Sequence, residues 1–361
     1  MTASDLRSHL RPRPGELVLL SVALGSVLLR VVLPPATLET VYSRGVFPLV
    51  RWILDYGFGW LPVPLFYVFW LFVPYVGYRL WRAYRGFLWL LRNLLLGTAV
   101  LVSLFLWMWG FNYGRTPVEE RLGFTLYQPE LEELRTSVYR EAEALALLRR
   151  SISRDTVALN ETVLPADLEA AVRPLVARSM QAHGYLAPGR PRAWQLYPRG
   201  VLLRLSTAGV YWPWAGQGNT DAGLHPLQQP AVLAHELSHA YGFGDEGTCS
   251  FWAVLAAAQT EDSFLQYALR LAYWRQLAGR LRYADPENYL RWRAEVLDPG
   301  IRNDLEAIYA NGAKYQDIAP ALRDATYTAY LKAQGIHEGL LNYARVVQLV
   351  EGYRRRSGSR S

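Results

Sequence analysis

Residues 234–240 read Ala234-His235-Glu236-Leu237-Ser238-His239-Ala240, and this HExxH pattern constrains the chain more tightly than any other stretch. Helical side chains four apart lie on one face, so His235 and His239 can hold a single metal ion. Glu236 then stands beside the metal as the candidate general base. The flanks agree with a helix. Pro230 sits where a first turn accepts proline, and Gly242 follows the last turn. The chain has only six histidines, so the spacing is a specific signal. The plainer reading is a helix with two surface histidines and an ion-pairing glutamate.

A catalytic zinc usually takes three protein ligands and keeps one position open for water. His235 through Asp245 fits HExxHxxGxxD, which is similar to the metzincin pattern with Asp in the third ligand's place. That class also needs a methionine turn downstream. Met1, Met108 and Met180 all lie upstream, so the metzincin reading fails. Glu246, next along, gives a two-His-one-Glu set of the gluzincin kind. Asp245 and Glu261 remain as alternatives, because acids at helix N-termini are also common as dipole partners.

Charge and apolarity divide the chain. Residues 1–115 carry 11 arginines against four acids, a net of +7, and the rest carries 27 charges of each sign. A nucleic-acid binder needs its basic face on the folded domain, so that class is excluded. Arginines flanking membrane helices fit instead. Three apolar stretches are long enough to span a bilayer: about Leu17–Leu33, Gly59–Tyr78 and Asn93–Phe111. The second contains Pro62, Pro64 and Pro74, and a kinked span and a re-entrant segment are both open to it. Arg7, Arg11 and Arg13 precede the first stretch as in a signal peptide, but Val32-Leu33-Pro34-Pro35 offers no small-x-small cleavage site, so an uncleaved helix is expected. Arg79, Arg82, Arg85 and Arg92 follow the second stretch. With both Arg groups cytoplasmic, everything after Tyr113 lies outside the cytoplasm. The single cysteine, Cys249, excludes an intrachain disulfide framework.

The expected fold class is therefore a membrane protein, with three N-terminal transmembrane helices followed by a mainly α (α+β) zincin-like domain. The regions are 1–115 for the membrane, 116–353 for the domain and 354–361 for a disordered basic tail. Within the domain, Pro129–Leu148 and Asp155–His183 read as amphipathic helices and Arg199–Tyr211 as a strand. Pro213–Gly223 is rich in turn residues. Glu246–Tyr273 reads as one buried helix. The apolar run before His235 is too short to place the motif inside a spanning helix.

The flanking segments carry a resemblance. Trp109-Gly110-Phe111-Asn112-Tyr113-Gly114-Arg115, Gly209-Val210-Tyr211-Trp212-Pro213, the block from His235 through Asp245-Glu246-Gly247 to Phe251, and Tyr330-Leu331-Lys332 through Gly339 to Tyr343 resemble blocks of a bacterial membrane family, domain of unknown function 3810. It is grouped with HExxH peptidases of the gluzincin type. The resemblance implies a bacterial cytoplasmic (inner) membrane protein with an extracytoplasmic, periplasmic domain, and it favours Glu246 as third ligand. The chain departs from the family at Gly216-Gln217, where an acid is usual, at Ser250, where Asn is usual, and at Asn342, where Ser precedes the tyrosine.

The resulting expectation is a membrane-anchored zinc peptidase. His235, His239 and Glu246 hold Zn2+, which lowers the pKa of its water to about 7, and Glu236 takes the proton. Tyr343 and Tyr211 are the candidate oxyanion donors. Val210–Asp221 offers an edge along which an extended peptide adds. For Trp212 and Trp214 three places are open: a pocket wall, the membrane surface or the core. The partners are a peptide or protein substrate and the lipid bilayer, with the oligomeric state left open. The alternative is a non-catalytic, zinc-stabilised membrane scaffold. Transport is disfavoured, because no spanning stretch carries a midplane acid or histidine.

Overall fold

The computed structural model describes residues 13–358 of a mainly helical chain. It divides into two compact units, one of residues 1–115 with Trp212–Gly216, the other of Thr116–Tyr211 with Gln217–Ser361. Arg7, Arg11 and residues 359–361 fall outside the described residues.

In the first unit, α1 (Pro14–Val32) begins with proline in its first turn. A helical stretch from Pro35 passes through a π-helical segment, Leu38–Val46, into α2 (Phe47–Gly57). Then come α3 (Leu65–Arg82) and α4 (Phe87–Met108). Helices α1 and α4 are long and apolar enough to cross a membrane, and little of either is buried. Their packing is fixed by polar ties. Arg92 Nη2 donates to Glu16 Oε1 at 2.6 Å, and Trp107 Nε1 to Ser26 Oγ at 2.9 Å. The second apolar stretch differs from expectation. Pro62 and Pro64 lie ahead of α3 and start it, leaving only Pro74 inside. Among the described residues α3 is not one of the helices apolar enough to span. Its tyrosines, tryptophans, Arg79 and Arg82 lower its hydropathy. The third stretch ends at Met108, and Gly110–Gly114 form a 3-10 turn. There Arg115 makes a two-pronged pair with Glu39, 2.8 Å on each prong.

The second unit opens with α5 (Val118–Leu122), α6 (Leu131–Ile152) and α7 (Leu168–Ala182). The helix expected over Asp155–His183 starts only at Leu168, because Asp167 caps it by accepting from Ala170 N at 2.9 Å. Strands β1 (Ala193–Leu196), β2 (Gly209–Trp212) and β3 (Gln217–Asp221) form a sheet in the order β1-β3-β2, with β1 parallel to β3. Two expectations are corrected here. Arg199–Tyr211 is a strand only from Gly209, because the preceding backbone wraps Asp221: its carboxylate accepts from Gly200 N (2.7 Å), Leu202 N (2.7 Å), Leu203 N (3.0 Å) and Gly223 N (2.6 Å). Gln217–Asp221, taken as turn, is the central strand and is buried throughout.

Helix α8 (Gln229–Ala240) carries the HExxH pattern against β3, and α9 (Glu246–Ala256) packs beside it. The expected continuous helix Glu246–Tyr273 is broken after Gln259, and α10 (Ser263–Ala284) begins anew under an Asp262 cap, which accepts from Leu265 N at 2.9 Å. Helices α11 (Pro286–Glu295), α12 (Pro299–Gly312), α13 (Pro320–Ala333) and α14 (Arg345–Gly358) complete the unit. The basic tail is therefore helical through Gly358, with Arg354 paired to Glu351 (3.0 Å) and Glu141 (3.2 Å). The core joins α6 to α10 through Val138, Leu145, Trp274 and Leu277, and continues under α8 and α9 through Leu237, Phe251 and Trp252. Arg149 and Asp304 form a buried ion pair at 2.8 Å, and Asp304 also accepts from Tyr267 OH (2.6 Å) and Leu159 N (2.8 Å).

Candidate metal centre

Helix α8 has Pro230 in its first turn, and the chain leaves it through Gly242 at φ +93°. A left-handed residue there is cheap only for glycine, and it turns the chain back so that α9 starts beside the histidines. His235 Nε2 and His239 Nε2 lie 3.1 Å apart. Glu246 Oε2, from the first turn of α9, is 3.0 Å from the first and 3.3 Å from the second. The three candidate ligand atoms thus lie within 4.8 Å of one another.

The outer nitrogens are also held. His239 Nδ1 is 2.7 Å from the Phe243 carbonyl. A carbonyl only accepts, so this nitrogen carries a proton and Nε2 is the nitrogen that faces the cluster. His235 Nδ1 is 3.1 Å from Ser250 Oγ. Cys249 Sγ touches His239 Nδ1 at 3.2 Å, and burial pushes its thiol up to about 12. Burial pushes His235 down, whereas at His239 the neighbouring Cys249 and Glu246 outweigh burial and hold its pKa well above the ordinary value. Glu246 is buried as well, but the two histidines hold it far below the usual carboxylate range.

Glu236 faces the sheet side of α8. Burial pushes it up to about 8. Two glycines make room for it. A Cβ on Gly209 would stand 2.6 Å from Glu236 Oε1, and one on Gly218 would stand 3.0 Å from Glu236 Cβ. Glu236 Oε2 is buried and accepts no hydrogen bond within the protein. A buried carboxylate oxygen without a donor is costly, and such groups collect where chemistry is done.

The structure sets Tyr343 and Tyr211 on either side of the histidine pair. The Tyr343 ring lies 6.0 Å from His235 at 12°, and the Tyr211 ring 6.3 Å from His239 at 28°. Asp245 is placed otherwise. Its Oδ1 caps α9 through Thr248 N (2.6 Å), and its Oδ2 accepts from Asn342 Nδ2 (2.8 Å) and Arg345 Nη1 (2.9 Å). Glu261 is exposed in the loop before α10. Trp212 and Trp214 pack in the first unit, where Trp212 is 5.1 Å from Phe66 and Trp214 is stacked on Phe69 at 5.5 Å. Sequence reasoning missed Tyr327. Its hydroxyl donates to Glu246 Oε1 at 2.7 Å, and burial and Glu246 together raise its pKa, so it keeps its proton. One signal existed: Tyr327 stands four residues before Leu331, the single buried residue of α13, and so shares its inward face.

Two imidazole nitrogens and one carboxylate oxygen meeting at a point suit a divalent transition ion. The chain belongs to the family described as Protein of unknown function (DUF3810), which matches residues 42–350. Neither a curated protein nor a solved structure matches it.

Proposed function

We propose that this chain is a membrane-anchored zinc peptidase of the gluzincin kind, with His235, His239 and Glu246 as metal ligands and Glu236 as general base. The observation that carries the reading is the convergence of His235 Nε2, His239 Nε2 and Glu246 Oε2 (3.0–3.3 Å) beside a buried carboxylate oxygen with no donor. Zinc held by His235, His239 and Glu246 would supply Lewis acidity and would make a water acidic enough to attack near neutral pH. A neighbouring dication also favours the ionised form of Glu236 over the protonated form that burial alone prefers. Oε2 of Glu236 then accepts the proton of the attacking water and returns it to the leaving amine. Tyr343 and Tyr211 supply hydroxyl donors for the developing oxyanion. The Phe243 carbonyl and Ser250 fix the histidine rings, so the site is organised before substrate arrives.

The membrane reading rests on α1 and α4, and its topology takes α3, which is less apolar, as a third span. Arg79 and Arg82 in the last turn of α3, Arg85 in the loop and Arg92 near the start of α4 mark this end as cytoplasmic, and three spans then put the metal-binding unit on the other side. The substrate is a peptide or protein.

The test is cleavage of a quenched-fluorescent peptide library by the full chain in detergent, wild type against Glu236→Gln. The expected loss is ~10²-fold or more, with zinc content unchanged. Equal cleavage by the two proteins would overturn the catalytic role. A folded, zinc-loaded wild type that cleaves no peptide would favour the scaffold reading.

A further inference from the structure

We infer that Tyr327 is a positioning residue that makes Glu246 a one-oxygen ligand and sets the metal affinity of the centre. This rests on the metal-binding reading above. The Glu246 carboxylate divides its two oxygens. Oε2 faces both His235 Nε2 (3.0 Å) and His239 Nε2 (3.3 Å), while Oε1 accepts from the Tyr327 hydroxyl at 2.7 Å. A carboxylate free to rotate can present either oxygen or both. A hydroxyl donor on one oxygen fixes the plane and leaves the other at the shared point. Tyr327 OH is 3.4 Å from Tyr343 OH, and the Tyr343 ring lies along His235.

The position of Tyr327 supports a role at the site over a role in the core. Helix α13 buries only Leu331, and Ile318 and Leu322 nearby are exposed. A helix so weakly embedded gains little from one tyrosine hydroxyl as packing. The hydroxyl is spent on Glu246. The same contact brings residues 320–333, remote in sequence from His235–Glu246, into the centre. Removing an outer hydrogen bond of this type lowers metal affinity about 10–100-fold.

The experiment uses the full chain in detergent, stripped with a chelator and titrated with zinc against a chromophoric competitor, for wild type, Tyr327→Phe and His239→Ala. Cobalt(II) loading adds a visible spectrum that reports ligand geometry. Tyr327→Phe keeps the ring, so the metal-free variant is expected to unfold at the wild-type temperature. Expected are a 10–100-fold weaker zinc constant and altered cobalt bands in Tyr327→Phe, with no binding in His239→Ala. Wild-type affinity and spectrum in Tyr327→Phe, while His239→Ala loses the metal, would overturn the role of Tyr327 alone. No zinc on a folded wild type would overturn the metal-binding reading and this inference with it.

Discussion

The two units put the same residue types to opposite uses. In the first, large apolar side chains point outward: Val32 and Leu71 are each 73% exposed, and no residue of α3 is buried. Polar ties such as Glu16–Arg92 and Glu39–Arg115 run between its helices. In the second, the apolar residues form one continuous core, and buried carboxylates gather hydrogen-bond networks around them, as at Asp221 and Asp304. Glu236 Oε2, beside the histidine pair, is a buried carboxylate oxygen that accepts no hydrogen bond within the protein. A unit with apolar residues outside, two of its helices long and apolar enough to cross a membrane, suits an apolar surrounding. A donor-less carboxylate oxygen next to candidate metal ligands is the group that the proposed chemistry uses.

The largest expected effect lies in the second unit. Asp304→Ala strands the buried Arg149 guanidinium and removes the acceptor for Tyr267 and Leu159, and should cost about 3–5 kcal/mol of stability, read by thermal or denaturant unfolding. A loss under ~1 kcal/mol would mean that this network is not holding the unit together. Next comes the contrast itself. Leu24→Arg on the exposed face of α1 should cost about 2.5–3.5 kcal/mol in membrane insertion. Leu147→Arg, equally exposed but on α6, should stay within about 0.5 kcal/mol. Equal tolerance at both sites, read by membrane fractionation and unfolding, would erase the distinction between the units.

Gly209→Ala sharpens the account of the site. Its Cβ would stand 2.6 Å from Glu236 Oε1 and 2.9 Å from the Asn219 carbonyl, so Glu236 must shift. Peptide cleavage should fall ~10²-fold with zinc retained; unchanged cleavage would show that the position of Glu236 is not critical. The smallest effect is a pH dependence. Burial disfavours the Glu141 carboxylate, but Arg270 at 2.8 Å and Arg354 outweigh burial and hold its pKa below 4.5. A lowered folded-state pKa stabilises above the unfolded value, and that stability is lost as pH falls through the folded one. The stability gap between wild type and Glu141→Gln should therefore be present at about pH 7 and shrink below about pH 4. A gap that is constant with pH would contradict the ion-pair assignment.

The legible parts of this chain were those whose geometry is local. His235, Glu236 and His239 are set by helical spacing, whereas Glu246 stood beside Asp245 and Glu261 as a candidate and was favoured by the resemblance. The apolar helices α1 and α4 were visible from length and composition alone. Strand β3 was not, because Gln217-Gly218-Asn219-Thr220-Asp221 is poor in strand formers, and its burial between β1 and β2 is a tertiary effect. Tyr327 was hidden among 23 tyrosines, since its meaning depends on how α13 docks. The glycines at 209 and 218 read as turn or strand-weakening residues until Glu236 is seen lying against both.

The most direct test of the central claim is zinc per chain by elemental analysis of the full-length protein, for wild type, His239→Ala, Glu246→Ala and Asp245→Ala. The account predicts about one zinc in wild type and in Asp245→Ala, and none in the other two. Zinc lost with Asp245→Ala but kept with Glu246→Ala, or absent from a folded wild type, would contradict it.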